Sequence, residues 1–208
     1  MTGQKDTILL AAAAVSSELR EVRRIAREMS LGVMNAKAIS HRAGDTARGF
    51  RPITDFIDEM AHEIIALVGR ISQQSVSFSN LAVHHRHLRQ TRERYRQVIE
   101  QGNAVRHIAS LRQVMDKLDE EMERCRKEFI RMTRQLRALL EDIQRSTRGA
   151  QIISATSRVE ASRAEGFSQS LEVVANQVDT STMNIRARLQ SSHDCLSSVL
   201  GRLAREES

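Results

Sequence analysis

An apolar repeat with alternating three- and four-residue steps runs through most of this chain, and it restricts the fold more than any other feature. After Pro52 the repeat is carried by Ile57, Met60, Ile64, Leu67, Ile71, Gln74, Phe78, Leu81, His85, Leu88, Arg92, Tyr95 and Ile99. A mean spacing of about 3.5 residues keeps one face of a helix against its neighbours and gives left-handed coiled-coil packing. The same spacing recurs within residues 8–36, 108–153 and 171–203. The repeat therefore predicts long α-helices packed side by side.

The composition argues against other fold classes. The 208 residues include one proline, nine glycines and no tryptophan, and aromatic residues make up only 3%. So few turn-forming and aromatic residues disfavour a β-sandwich, a barrel or a small-molecule pocket. Small alanine and serine residues at many positions of the repeat suit closely packed helices. We therefore predict an all-α fold, a long antiparallel four-helix coiled-coil bundle.

The repeat is interrupted at three places, and each carries turn-forming residues. Gly44 and Gly49 precede Pro52, which suits the first turn of a helix; Gly102 is followed by asparagine; and the stretch at 163–170 contains a glycine. These breaks predict helices over residues 4–43, 51–101, 104–164 and 169–206. Because short connections make neighbouring helices antiparallel, the helices should form two hairpins.

The two predicted hairpins occupy residues 1–102, with a turn near 44–49, and residues 103–208, with a turn near 165–169. Together they should form one elongated domain. The two middle helices are the longer ones, so we expect them to project beyond the bundle as a two-helix stalk. Residues 84–128 are rich in charged side chains, with 19 aspartate, glutamate, lysine or arginine residues among 45, as suits an exposed pair of helices.

Four positions inside the predicted helices break the apolar pattern. Gly32 and Gly149 each cost roughly 1 kcal/mol relative to alanine, and they would permit close approach or bending. His85 and Arg92 lie on the apolar face, where a buried charge needs partners. Folding back near Gly102 brings residues 116–123 opposite them, and that segment is rich in acids.

The charge pattern bears on possible partners. The net charge is +6, but the arginines are interspersed with acids and lack aromatic stacking partners, so nucleic-acid binding is not expected. The chain has no run of about 18 apolar residues, so membrane insertion is not expected either. We interpret residues 1–17 as the start of an amphipathic helix rather than a cleaved signal. Cys125 and Cys195 are isolated, which fits a reducing cytoplasm and no disulfide framework.

The sequence gives little support to catalysis. It has no GxSxG motif and no Walker loop, so we expect neither an enzyme nor a cofactor. His84 and His87 could share one helix face, but no third ligand lies nearby, and no metal site is expected. Glu172 and Asn176 are spaced by one helical turn. That acid and amide spacing is the one a helical-bundle response-regulator phosphatase would need, and it remains an alternative.

The first and third breaks align without a gap. They read "NAKAISHRAGDTARGF" at residues 35–50 and "SRVEASRAEGFSQS" at residues 157–170, and Arg42 aligns with Arg163 at an offset of 121 residues (163 − 42). Both stretches resemble the tip of the cytoplasmic signalling hairpin of bacterial chemoreceptors, the methyl-accepting chemotaxis proteins. The first copy matches at Asn35, Ala36, Arg42, Ala43, Gly44, Arg48, Gly49 and Phe50. The second copy matches at Val159, Glu160, Ala161, Arg163, Ala164, Val173, Val174, Ala175 and Val178.

The resemblance implies a function. A receptor signalling domain is a dimer of such hairpins, so one chain with two hairpins would imitate the tip of a dimer, as a monomeric pseudo-dimer or a homo-oligomer. The implied partners are the chemotaxis histidine kinase and the coupling adaptor, with other chemoreceptors as further candidates. The implied role is that of a cytoplasmic scaffold, modulator or competitor in a chemosensory array. The implied protein-binding residues are Leu31, Asn35, Arg42 and Phe50 in the first copy, and Ile152, Val159, Glu160 and Arg163 in the second.

Each copy departs from the family pattern where the other keeps it. Ile39 stands in place of the family's glutamate in the first copy, and Thr156 in place of its asparagine in the second. These departures leave open which copy binds. The alternative for Leu31, Ile152 and Val159 is that they pack in the seam or on the flank of the bundle. For the whole chain, the further alternative is a structural coiled-coil protein unrelated to chemotaxis.

Overall fold

The computed structural model describes residues 7–100, 108–164 and 166–205, which form four long helices and no strand. The helices are α1 (Thr7–Ala43), α2 (Phe50–Glu100), α3 (Ile108–Arg163) and α4 (Ser168–Arg205), and a short 3-10 turn, Gly44–Ala47, follows α1. The predicted all-α four-helix fold is confirmed. The predicted connection at Gly102 and Asn103 lies outside the described residues. Within the described residues, no helix is long and apolar enough to cross a membrane.

Contacts between the helices run in opposite directions along each neighbouring pair. The contacts within the hairpins include Ser30 with Asp58, Lys37 with Asp55, Arg137 with His193 and Arg158 with Asp179. The contacts between the hairpins include Glu18 with Arg188, Ala11 with Cys195, Glu63 with Ser146 and Arg92 with Asp119. Along each neighbouring pair of helices, residue numbers rise on one helix as the numbers of their contact partners fall on the other. Helices α1 and α3 each pack against both α2 and α4, so the bundle is antiparallel and four-sided.

The two hairpins use the same core positions, 121 residues apart. The buried residues of α1 include Val15, Leu19, Val22, Ala26, Met29, Val33, Ala36 and Ser40. Their counterparts in α3 are buried as well: Leu136, Leu140, Ile143, Thr147, Ala150, Ser154, Ser157 and Ala161. The same offset relates buried positions of α2 to buried positions of α4. Phe50 corresponds to Leu171 near the turns, and Phe78 corresponds to Val199 at the other end of the bundle. The alignment of the two tips therefore extends, without a gap, along the core of both hairpins.

The turns of the two hairpins differ in detail. Gly44 has a φ of 62° and Gly166 a φ of 72°, which is the left-handed conformation that favours glycine after a helix. In the first turn, the buried Ser40 hydroxyl donates to the Ala47 carbonyl at 3.2 Å. In the second, shorter turn, the Phe167 amide donates to the Ala164 carbonyl at 3.0 Å. The left-handed glycine thus comes one residue later in the second copy than the offset of 121 predicts.

Replacing Gly44 by alanine should lower the free energy of unfolding by about 1 kcal/mol, since a side chain disfavours the left-handed conformation. An added Cβ at this position meets no atom within 4 Å, so the expected cost comes from the backbone alone. Asparagine tolerates this conformation better, so Gly44→Asn should lose less. Urea unfolding of the parent and both variants would test this ranking. An alanine variant as stable as the parent would contradict it.

The middle helices continue past the ends of α1 and α4. Helices α2 and α3 have 51 and 56 residues, against 37 and 38 for α1 and α4. Within 89–100 and 110–124, no residue is buried. Small and apolar residues recur every seventh position along α2 at Thr54, Ala61, Val68, Ser75 and Ala82, and the next two positions in that register are Arg89 and Arg96. This change to arginine ends the four-helix section and leaves a two-helix stalk.

The two polar residues on the apolar face of α2 find different partners. Arg92 pairs with Asp119, with Nε and Oδ1 2.5 Å apart, which confirms a partner within the predicted segment 116–123. Both side chains are about half exposed, so this surface pair contributes at most about 1 kcal/mol. His85 is buried, and its ring packs edge-on against Phe129 with centroids 5.8 Å apart. His85 is therefore part of the core at the base of the stalk.

Candidate protein-binding surface at the hairpin tips

Most of the predicted binding residues lie on the surface. The exposed fractions of Leu31, Ile152 and Val159 are 57%, 74% and 52%, so these three residues lie outside the buried seam. Asn35, Arg42 and Arg163 are exposed as well. Glu160 is half-buried. The tips therefore present large apolar side chains beside arginines.

Phe50 is the exception among the predicted binding residues. Its exposed fraction is 1%, and it belongs to the core, as does its counterpart Leu171. A side chain this deeply buried supports the turn from inside and cannot contact a partner on the surface. The assignment of Phe50 to the binding surface is therefore corrected. The signal was present in the sequence, since Phe50 lies seven residues before Ile57, in the same position of the apolar repeat.

The exposed residues form one stripe on each hairpin. On α1 the stripe consists of Leu31, Asn35, Ala38 and Arg42, and 121 residues later on α3 it consists of Ile152, Thr156, Val159 and Arg163. All eight residues are exposed, and steps of three and four residues place each set on one helix face. Because α1 and α3 both lie between α2 and α4, the two stripes lie on opposite sides of the bundle.

The α3 stripe is joined to the first hairpin by an aromatic ring. A Cβ added at Gly149 would lie 3.0 Å from Cζ of Phe56, so this glycine gives the ring room to pack against α3. Gly149 precedes Ile152 by one helical turn, and Phe56 remains 37% exposed. Phe56 was not predicted as a surface residue of the site. In the sequence, Phe56 could have been noticed because it is an aromatic residue directly before Ile57 and therefore lies outside the apolar repeat.

A second contact joins the hairpins closer to the turns. A Cβ added at Gly49 would lie 2.1 Å from Oε2 of Glu160, so the carboxylate rests directly against the first turn. The other carboxylate oxygen of Glu160 accepts a hydrogen bond from Nη1 of Arg163 at 3.1 Å. Glu160 therefore links α3 of one hairpin to the turn of the other and also holds the Arg163 side chain.

The α1 stripe has a different neighbour. A Cβ added at Gly32 would lie 2.9 Å from Oε1 of Gln177, the counterpart of Phe56. Gly32 and Gly149 thus both allow the close approach that was one of the two expectations for them. Val173 on α4 is 62% exposed and is the counterpart of Pro52 on α2. The two sides of the tip therefore have matching positions but different side chains.

Both hairpins carry the same polar clamp beside the stripe. Lys37 Nζ lies 3.1 Å from Asp55 and 3.0 Å from Asp58. At the positions 121 residues later, Arg158 donates to Asn176 at 3.2 Å and to Asp179 at 2.6 Å. Each clamp joins the two helices of one hairpin beside the stripe.

The clamp of the first hairpin should make the folding stability depend on pH. Burial raises the pKa of Asp58, but hydrogen bonds from Lys37 and Ser30, together with the charges of Lys37 and His62, lower it to a net value below the usual one. A lowered pKa stabilises the fold above the unfolded value of about 3.9, and this stability is lost as pH falls through the folded value. The melting temperature of the parent should therefore fall faster below about pH 4 than that of Asp58→Asn. Equal changes in the melting temperatures of the parent and Asp58→Asn between pH 3 and 6 would contradict this prediction.

The alternative phosphatase pair lies on the surface of α4, and one of its two residues has a partner on α3. The amide oxygen of Asn176 already accepts a hydrogen bond from Nε of Arg158, and Asn176 belongs to the clamp of the second hairpin. Glu172 lies one turn before it and is exposed. Asn176 therefore has a role in joining α3 to α4.

No metal-binding cluster is found where the structure can be described. Residues 7–100, 108–164 and 166–205 contain no group of three or more histidine, cysteine, aspartate or glutamate side chains placed to hold a metal ion. Cys125 is buried and Cys195 half-buried, and burial raises the pKa of both thiols. A raised pKa disfavours the reactive thiolate.

Comparison with known proteins adds no relative. No protein-family profile, curated protein or solved structure matches this chain. The resemblance to chemoreceptor tips therefore rests on the motif residues of the two copies and their offset of 121 residues.

Proposed function

We propose that this chain is a cytoplasmic, chemoreceptor-like signalling or scaffold protein that binds the chemotaxis histidine kinase and the coupling adaptor through its hairpin tips. The observation that carries the proposal is the pair of exposed stripes, 121 residues apart, beside two turns that both resemble the receptor tip. A receptor presents its tip from two protein chains. Here one chain would present both hairpins.

The physical character of the stripes supports binding to protein. Clustered exposed apolar side chains on a folded surface mark interaction sites, whereas single ones are ordinary. Leu31 and Ile152 are such anchors, and Arg42 and Arg163 supply charged donors at the turn end of each stripe. Apolar anchors contribute affinity, and an arginine beside them fixes orientation. The helices beneath are held by the core and the clamps, so little order has to be gained on binding.

In this proposal the chain performs no chemistry. It competes with receptors for the kinase and the adaptor, or joins them as a modulator in a chemosensory array. It acts as a monomeric pseudo-dimer or a homo-oligomer. The charged stalk holds the tips at a distance from whatever the opposite end contacts.

A pulldown with purified coupling adaptor and kinase from the same organism tests the proposal. The parent chain should retain one or both partners. The double variant Leu31→Glu, Ile152→Glu should lose them, since it replaces the largest apolar side chain of each stripe by a charge. Val83→Glu is the matched control, because Val83 is 48% exposed and lies far along α2 from the tips. Retention of neither partner by the parent would contradict the proposal and favour a structural coiled coil.

A further inference from the structure

One stretch of α1 carries three arginines on the side that faces α2. Arg20, Arg23 and Arg27 are spaced by three and four residues, so they lie along one face of the helix. The side chain of Arg23 rests on α2, since a Cβ added at Gly69 would lie 3.6 Å from its Nη2 atom. Because α1 and α2 are antiparallel, this contact places Arg20 at the level of Ser72. We call the surface formed by these five residues the arginine groove.

The acids of α1 beside the arginine groove are already paired elsewhere. Glu21 and Glu28 both pair with Arg24, and Glu18 pairs with Arg188 on α4. Within the described residues, no ion pair joins any of the three groove arginines to an acid. The positive charges of the arginine groove are therefore available to a ligand.

The neighbouring stretch of α2 supplies no acid either. Residues 64–92 contain neither aspartate nor glutamate. In the part of the chain that the structure describes, Nε of Arg23 is buried and has no hydrogen-bond partner. A buried donor without a partner is unfavourable, and like charges one helical turn apart repel each other. An anion bound in the arginine groove would relieve both.

The matching surface of the second hairpin has a different charge. At the offset of 121 residues, the three groove arginines correspond to Glu141, Gln144 and Arg148, and Gly69 corresponds to Gln190. The three matched positions thus carry three positive charges in the first hairpin and no net charge in the second. The second hairpin therefore offers control positions for the first.

The length of the arginine groove limits the size of the ligand. Arg20 and Arg27 are seven residues apart, which corresponds to about 10 Å along the helix axis. Toward the tip the positive stretch ends at Asp58, whose carboxylate accepts hydrogen bonds from Ser30 and Lys37. Phosphoryl oxygens match the fork of donors on a guanidinium, and two adjacent phosphoryl groups would reach all three arginines. A strand of nucleic acid would need a longer basic track with aromatic stacking partners.

We infer that the arginine groove binds a small anion with two adjacent phosphoryl groups, held by Arg20, Arg23 and Arg27. Gly69 contributes by leaving the Arg23 side chain room to lie against α2. None of these residues belongs to the tip stripes, so the inference does not depend on the proposed function. Because the folded chain alone holds the arginines together, the bound anion should also raise the melting temperature.

Isothermal titration calorimetry with pyrophosphate tests this inference. At constant ionic strength, the parent should bind pyrophosphate and bind inorganic phosphate more weakly. Arg20→Gln and Arg23→Gln should each weaken pyrophosphate binding about tenfold, because each removes a charge-assisted contact with the anion. Arg20 is exposed, so Arg20→Gln should also keep the melting temperature of the unliganded parent. The matched control Arg148→Gln changes the exposed counterpart of Arg27 on α3 and should bind like the parent.

The possible outcomes separate a built site from attraction by net charge. Weaker binding in Arg20→Gln and Arg23→Gln, with Arg148→Gln unchanged, supports the arginine groove. Equal losses in all three variants, or no loss in Arg20→Gln and Arg23→Gln, overturn the inference. Failure of the parent to bind pyrophosphate at millimolar concentrations overturns it as well. The proposed function is tested separately by the pulldown and survives any of these results.

Discussion

Replacing Phe129 by alanine should lower the free energy of unfolding by about 3–5 kcal/mol, the largest single effect expected in this chain. Phe129 is fully buried at the end of the four-helix section. Its ring packs edge-on against Phe78, with centroids 5.2 Å apart, and against His85 at 5.8 Å. Removing the ring loses both aromatic contacts and leaves a cavity that the surrounding helices fill only in part. A chain of this size should then melt about 8–15 °C lower.

The control for Phe129→Ala is a truncation at an exposed apolar residue. Val76→Ala removes a side chain from α2 that is 62% exposed, and the expected change lies within about 0.5 kcal/mol of zero. Urea unfolding followed by circular dichroism measures both variants. A Phe129→Ala protein that unfolds at the parent's urea concentration would show that α2 and α3 do not pack as described at the base of the stalk.

Replacing Arg163 by alanine should weaken adaptor binding about tenfold or more while leaving stability unchanged. Arg163 is the exposed cation at the turn end of the α3 stripe, and its side chain pairs with Glu160. The ion pair between them lies at the surface, so its loss should cost at most about 1 kcal/mol of folding stability. Charge-assisted hydrogen bonds to a partner are worth more, because the interface excludes water.

Arg131→Ala is the matched control for this prediction, since Arg131 is an exposed arginine of α3 that pairs with Glu128 three residues before it, as Arg163 pairs with Glu160. We expect Arg131→Ala to retain the parent's affinity, because it lies far along α3 from the tip. Glu160→Ala should show an intermediate loss, because it keeps the guanidinium but removes the group that positions it. Calorimetric titration of all three variants against the adaptor gives the ranking. Full affinity in Arg163→Ala would exclude this residue from the docking surface.

The helices and their order follow from the amino-acid pattern because a long apolar repeat leaves few packing solutions. The first and third breaks in the repeat predicted the adjoining helix ends to within one residue, and the arginines at 89 and 96 show why the four-helix section stops. The offset of 121 residues, found from the two turn motifs, extends along the whole core. This agreement has a simple cause, since burial in a coiled coil depends mainly on position within the seven-residue repeat.

The residues of the proposed binding surface were harder to predict from the sequence than the helices were. Phe50 was assigned to the surface by motif, although its place in the repeat belongs to the core. The contacts of Phe56 with Gly149 and of Glu160 with Gly49 join residues of different hairpins that are about 90 to 110 positions apart. Such contacts depend on how each helix is rotated about its axis, and the apolar repeat defines that rotation only within a few tens of degrees.

Hydrogen–deuterium exchange of the full chain, with and without saturating coupling adaptor, tests the central claim most directly. We expect slower exchange in peptides from the two tips, over residues 42–56 and 149–167, because amide groups there become covered or held more rigidly. Exchange in the stalk, over residues 89–100 and 110–124, should not change. Protection confined to the stalk, or no protection anywhere at an adaptor concentration that saturates chemoreceptor tips, would contradict binding through the hairpin tips.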